Sequence, residues 1–198
     1  MSEHYFSSEP TSASRPRSFT LSVGGIDVRF DSDSGVFSAD RVDKGSRVLI
    51  ETLLRFRDWN GVRTLDMGCG YGAVGVTLAK AGASVVMCDV NERALALCRG
   101  NAALNGVSAE CVRSDAGEGI EGGFDAVVTN PPIRAGKKTV HAFFENAFAL
   151  LNRGGGLFVV IRRQQGAESA EKRIRELFGG CETLEREAGY RVLYSVKG

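Results

Sequence analysis

The sequence predicts an α/β fold: a mostly parallel sheet with helices on both faces, an antiparallel C-terminal edge, and a β-hairpin before it. Three observations predict it. From residue 62 onward, short apolar runs alternate with helical segments, the pattern of βαβ units. A glycine-rich turn, Asp66-Met67-Gly68-Cys69-Gly70-Tyr71-Gly72, closes the first run and opens a helix. Near the end, Glu182–Arg186 and Tyr190–Val196 flank Ala188-Gly189 and read as two strands joined by a turn.

Residues 7–18 are rich in Ser, Pro and Arg and read as a loose arm. Apolar residues then alternate in Phe19–Val23 and Ile26–Phe30, on either side of Gly24-Gly25, which is a hairpin signal. Residues 31–40 are turn-rich. Asp43 is placed to cap a helix that carries Val48, Leu49, Leu53, Leu54 and Phe56 on one face. The apolar runs expected as strands are Val62–Met67, Ser84–Cys88, Ala109–Arg113, Phe124–Thr129 and Leu157–Arg162. Ala73–Ala81 lies between the first two. Asn91 is placed to cap the next helix and Gly106 to end it. Thr139–Leu151 aligns Val140, Phe143, Phe144, Ala147, Phe148 and Leu151 on one helical face. With no repeat and no linker after residue 43, residues 43–198 read as one domain and residues 1–42 as an arm plus hairpin.

Bulk composition narrows the class. Of 198 residues, 43% are hydrophobic and 25% charged, as in ordinary globular domains, and the net charge of +1 announces no polyanionic partner. Five cysteines (Cys69, Cys88, Cys98, Cys111, Cys181) form no CxxC pair, which disfavours zinc or a disulfide framework and suits reduced thiols in a cytoplasm. No metal is expected. No apolar run approaches a membrane span, and the N-terminus shows no secretory h-region.

The glycine turn sits where open α/β sheets bind ligands, beyond the carboxyl ends of the strands. Glycines there let the backbone pass close to a ligand. Gly70-Tyr71-Gly72-Ala73-Val74-Gly75 also satisfies GxGxxG, and Asp89 ends the next strand near the spacing of a ribose-binding acid. Taken alone, the turn does not separate NAD from S-adenosylmethionine (SAM), since both present a ribose diol. Three features shift the balance to SAM. Asp66 precedes the first glycine, where a carboxylate suits a cationic amino group. Asp115 ends the third strand, where it can accept from an adenine amine; a helix cap or solvated turn is its plainer reading. The third feature is Asn130-Pro131-Pro132-Ile133, directly after the strand Phe124–Thr129.

Two prolines stop that strand and fix its backbone. The Asn130 side-chain oxygen and the Pro131 carbonyl become two acceptors at the cleft, matching the two coplanar donors of an exocyclic amine. Such a nitrogen is a poor nucleophile because its lone pair is delocalised. Two acceptors hold it in line with a methyl donor and favour its more tetrahedral transition state. A leaving sulfur that is already cationic needs no acid, and the proton shed by the amine can pass to Asn130, backbone or water.

These motifs, Asp66–Gly72, Asp89 and Asn130–Ile133, resemble those of class I SAM-dependent methyltransferases of the "methyltransferase small domain" family, which includes small-subunit rRNA guanine-N2 methyltransferases. His4-Tyr5-Phe6-Ser7, residues 33–38 (Asp-Ser-Gly-Val-Phe-Ser), Asp43-Lys44-Gly45-Ser46 and the run from Asn130 to Lys138 look like its single-domain bacterial members. The resemblance implies a Rossmann-like seven-stranded class I methyltransferase sheet. It implies that Gly68, Gly70 and Gly72 line SAM, that Asp89 takes the ribose hydroxyls, that Asp115 lies near the adenine, and that Asn130 with Pro131 receives the target amine. Larger members carry an extra N-terminal half that helps hold RNA. Many amino-methylating relatives place an aromatic residue where Ile133 stands here.

Between Pro131 and Arg163 there are six basic residues and one acid, Glu145. Arg134, Lys137 and Lys138 follow the Asn-Pro-Pro motif, and Arg162 and Arg163 follow the fifth strand, giving a basic rim suited to ribosomal RNA or the small ribosomal subunit. Solvated charge near helix ends is the plainer reading. Tyr5, Phe6 and Phe37 are candidate stacking surfaces. His141 reads as structural and Cys69 as a small loop residue. The leading function is N-methylation of a base, guanine N2 in small-subunit rRNA. Methylation of a protein glutamine or small amide, an NAD-dependent dehydrogenase, and a non-catalytic RNA-binding module stand as alternatives.

Overall fold

The hairpin consists of β1 (Arg17–Val23) and β2 (Ile26–Ser32), paired in register about the Gly24-Gly25 turn, where both glycines have positive φ. The computed structural model describes residues 16–33 and 41–198. The arm before residue 16, the matching segments at 4–7 and 34–38, and the aromatic candidates Tyr5, Phe6 and Phe37 lie outside the described residues.

After the hairpin come α1 (Lys44–Phe56), β3 (Arg63–Met67), α2 (Ala73–Lys80), β4 (Ser84–Asp89), α3 (Glu92–Leu104), β5 (Ala109–Arg113) and β6 (Phe124–Thr129). A short 3-10 turn, Ile133–Ala135, leads into α4 (Lys137–Leu150). The chain ends with β7 (Leu151–Arg162), α5 (Ala167–Phe178), β8 (Glu182–Glu187) and β9 (Tyr190–Val196). The seven strands of the main sheet run in the order β5-β4-β3-β6-β7-β9-β8. The first five are parallel; β9 is antiparallel to β7, and β8 to β9. This is the expected seven-stranded class I sheet with its antiparallel edge.

Local chemistry explains the elements. Asp43 caps α1 by accepting from the Ser46 amide at 3.0 Å. Asn91 caps α3 by accepting from the amides of Arg93 and Ala94. Each face of the sheet carries its own core. One holds the hairpin with α1, α2 and α3 residues such as Leu49, Leu78 and Leu95; the other holds α4 and α5 residues such as Phe144, Ala147 and Ile174. Trp59 is 1% exposed and its indole N–H donates to the Leu53 carbonyl, so a bulky aromatic is buried without an orphaned donor.

Two differences from the sequence reading stand out. Strand β7 begins at Leu151, six residues earlier than expected, and takes in Gly154-Gly155-Gly156. Glycine disfavours strands, but bonds from Gly154 to the Lys197 carbonyl and from Lys197 to the Gly155 carbonyl hold it there. Helix α5 was not foreseen. Gly166 and Gly179, both at positive φ, bound it, and Ala167, Ala170 and Ile174 form its buried stripe.

The hairpin lies over α2 and α3. Asn105 accepts from the Arg29 amide and donates to the Arg29 carbonyl; Asn101 does the same with Asp31. Two side-chain amides one helical turn apart thus satisfy the outer edge of β2 as a third strand would.

Candidate active site

The candidate residues converge along one edge of the sheet, at the carboxyl ends of the parallel strands. Following the strand order, the edge carries Asp115 after β5, Asp89 at the end of β4, the glycine loop after β3, Asn130 after β6, and Arg162 at the end of β7. The chain reverses its winding between β3 and β6, the place where open α/β sheets form a ligand crevice. Thr129 Oγ1 donates to the Met67 carbonyl at 2.7 Å and pairs with Met67 in register. Asn130 and Gly68 therefore leave adjacent strands side by side, about 4.8 Å apart in the pairing direction.

The loop itself is tightly built. Gly68 and Cys69 donate to the Cys88 carbonyl. Gly68, Gly70 and Gly72 all have positive φ, a conformation that disfavours side chains. Their surroundings differ. A Cβ on Gly68 would meet Phe143 at 3.1 Å, and one on Gly72 would meet Cys98 at 3.0 Å, so protein packing excludes larger residues there. At Gly70 an added Cβ meets none of the described residues within 4 Å. Among the described residues, Gly70 alone of the three leaves the loop backbone uncovered, which refines the sequence argument that all three make room for a ligand.

Asp89 fastens this loop. One oxygen accepts from the Gly70 amide and the other from the Asn91 amide, each at 2.9 Å. Burial raises its carboxyl above the usual range, and these amide donors oppose the rise. A carboxylate offers about four lone-pair sites, so Asp89 retains capacity for further donors such as ribose hydroxyls. Asp66, 2% exposed, accepts from the Gly75 amide at 2.8 Å. Burial lifts its carboxyl to about 7, the Gly75 bond opposes, and the Asp89 charge adds to the rise. Asp115 is exposed, in the turn after β5.

Asn130 is half-buried and its amide is oriented. Nδ2 lies 3.1 Å from Ser46 Oγ and 3.3 Å from Asp43 Oδ1, both at the start of α1. Oδ1 and the Pro131 carbonyl receive no hydrogen bond from the described residues. Pro131 is buried; Pro132 and Ile133 are partly exposed. Sequence reasoning found Asp43 only as a helix cap and missed its second role. It also missed Tyr71, whose buried hydroxyl has no hydrogen-bond partner among the described residues, and Asn101, which donates to the Tyr71 carbonyl at 2.9 Å.

Arg134, Lys137, Lys138, Arg162 and Arg163 are all exposed on the same side as Asn130. Two shallow hollows mark this rim, one at Lys137, Lys138 and His141, the other at Arg163, Gln164 and Ser169. Arg153 sits near the start of β7, at the opposite end of the sheet. All five cysteines are free; Cys69, Cys88 and Cys98 are buried. Among the described residues no cluster of His, Cys, Asp or Glu is arranged to hold a metal, and no helix is long and apolar enough to cross a membrane.

Comparison with known proteins gives the family and the fold. The "Methyltransferase small domain" family model matches residues 27–194. The uncharacterized protein YbxB of Bacillus subtilis is 40% identical over 202 residues, covering 100% of both chains. The ribosomal RNA small subunit methyltransferase C of Aeromonas hydrophila is 36% identical over 171 residues, which are 81% of this chain and 47% of that one. A solved T. thermophilus 16S rRNA N2 methyltransferase, in complex with AdoMet and guanosine, superposes with a TM-score of 0.86 at 33% identity, covering 96% of this chain and 52% of that one. The chain thus spans about half the length of these rRNA methyltransferases. By family model, by sequence and by fold, the chain belongs to the methyltransferase small domain family.

Proposed function

We propose that this chain is a SAM-dependent N-methyltransferase acting on the exocyclic amine of a base, guanine N2 in small-subunit ribosomal RNA. The observation that carries the reading is the Asn130 amide: its nitrogen is tied to α1, its oxygen is left as an acceptor, and it stands beside the glycine loop. SAM, when bound, supplies an electrophilic methyl group on a cationic sulfur.

The open backbone at Gly70 and the remaining lone pairs of Asp89 suit that cofactor. Gly68, Gly70 and Gly72 line it, Asp66 faces its ammonium, Asp89 takes its ribose hydroxyls and Asp115 lies toward its adenine. Asn130 Oδ1 and the Pro131 carbonyl accept the two hydrogens of the target amine, with Pro132 fixing the turn. Ile133 flanks the base in place of an aromatic residue. Arg134, Lys137, Lys138, Arg162 and Arg163 engage the phosphates. The names of the rRNA methyltransferase relatives, one solved with guanosine, support the choice of guanine N2.

The test is transfer of label from tritiated SAM to small-subunit rRNA, to assembled small subunits and to ribosomal proteins. Label is expected in RNA as N2-methylguanosine by nucleoside mass spectrometry. Label appearing only in protein would defeat the RNA reading. Asn130→Ala is expected to abolish transfer while SAM still binds.

A further inference from the structure

We infer that Asp43 and Ser46 are positioning residues that set the Asn130 amide, making the site's reading face an acceptor of amino hydrogens; the inference rests on the function proposed above. The segment Asp43-Lys44-Gly45-Ser46 does more than begin a helix. Asp43 Oδ1 receives two donors, the Ser46 amide at 3.0 Å and Asn130 Nδ2 at 3.3 Å. Ser46 Oγ lies 3.1 Å from the same Nδ2. A side-chain amide nitrogen has two hydrogens and no lone pair to offer, so these two partners account for its donor capacity.

The carboxylate decides the orientation. An ionised Asp43 only accepts, so an Asn130 oxygen turned toward it would face a lone pair with a lone pair. The amide is held with nitrogen inward, toward α1, and oxygen outward. Gly45 makes the arrangement possible: an added Cβ would lie 2.8 Å from the Tyr190 ring and 3.1 Å from Asp43 Oδ1, crowding the carboxylate from its place. Ser46 is 6% exposed, so its hydroxyl works out of bulk water, where such bonds hold a side chain firmly.

A functional consequence follows. A freely rotating amide offers either a donor or an acceptor and would admit a carbonyl edge as readily as an amine. The anchored amide, joined by the Pro131 carbonyl, offers acceptors only. The site therefore selects an exocyclic amine and turns away an oxo group at the same position, whose lone pairs would oppose two acceptors.

The experiment uses the whole chain with in-vitro transcribed small-subunit rRNA and tritiated SAM. Ser46→Ala removes one anchor and leaves the Asp43 cap in place. Its kcat is expected to fall about tenfold, with KM for the RNA, Kd for SAM and melting temperature unchanged. Ser46→Thr, which keeps the hydroxyl, is expected to restore most of the rate. Independently of turnover, the Asn130 side-chain NH2 pair in 1H–15N spectra, assigned by its loss in Asn130→Ala, is expected to shift in Ser46→Ala. An unmoved amide signal together with wild-type kcat in Ser46→Ala overturns the inference while leaving the proposed function standing. Full turnover in Asn130→Ala overturns both. Where wild type transfers nothing to the RNA, the proposed function falls and the amide signal alone decides the positioning roles.

Discussion

Asn101, fully buried in α3, donates from Nδ2 to the Tyr71 carbonyl at 2.9 Å, so a helix behind the sheet edge holds the glycine loop directly. The same amide exchanges two bonds with Asp31 of the hairpin. Asn101→Ala leaves three buried or half-buried backbone groups unpaired and is expected to cost on the order of 3 kcal/mol. Urea unfolding measures this. A loss within a few tenths of a kcal/mol would mean that water replaces the amide at no cost.

Tyr71 carries the opposite defect. Its ring packs edge-on against Phe19 and Phe30, while its buried hydroxyl has no partner among the described residues. Tyr71→Phe keeps the packing and removes the orphaned group, so it is expected to stabilise the free protein by about 1 kcal/mol. A destabilised variant in thermal melts would show that the hydroxyl is satisfied in solution.

The pH dependence of stability is expected to carry the signature of Asp66. Its carboxyl rises from an ordinary 3.8 to about 7, chiefly through burial. The folded chain then keeps a proton that the unfolded chain releases above pH 4. This group's contribution is full below about pH 4, declines as pH rises, and is lost above about pH 7. Asp66→Asn cannot titrate, so its stability relative to wild type is expected to improve between pH 5 and pH 8. Equal differences at the two pH values in urea titrations would refute this.

Thiol chemistry gives a third handle on the loop. The Cys98 contact pulls the Cys69 thiol down, but burial and the charges of Asp66 and Asp89 outweigh it and push Cys69 to about 12. Burial first, then the charges of Asp66 and Asp89, carry Cys88 to about 12 against the amide bonds from Gly68 and Gly117. At pH 8 native protein is expected to alkylate first at the partly exposed Cys181, which burial pushes up to about 11, and only after unfolding at Cys69, Cys88 and Cys98; the Cys98 contact pushes the Cys111 thiol up and slows it too. Peptide mass spectrometry reads the order, and early labelling of Cys69 would mean a looser loop than described.

Removal of Lys137, Lys138 and Arg134 together by alanine is expected to weaken RNA binding and lower its salt-dependence slope by about 2. SAM affinity is expected to stay as in wild type. An unchanged slope in filter-binding assays would assign these cations to the solvated surface.

Much of this was legible in the residues themselves. The hairpin, the five parallel strands and the two capped helices follow from local signals: alternation, glycine turns, and Asp43 and Asn91 at helix starts. The convergence of Asp89, the glycine loop and Asn130 was legible too, because strand ends in a parallel sheet share one edge. What local pattern does not encode is a bond between distant segments. Asn130 meets Ser46 84 residues away, and Asn101 meets Asp31 across 70. Only the folded chain brings those amides to their partners. The early start of β7 was hidden for a related reason, since three glycines look like a loop until β9 supplies their pairing.

The two asparagine side chains along β2 have one more effect. Residues four apart on a helix rise by about 6 Å, and residues two apart on a strand by about 6.7 Å. Asn101 and Asn105 thus act as a ruler with two marks, and Asp31 and Arg29 fall on them. Sliding the ribbon by a single residue would bring to both marks backbone groups that point toward β1 instead of outward, so the alternation of the strand itself rejects a one-residue slip.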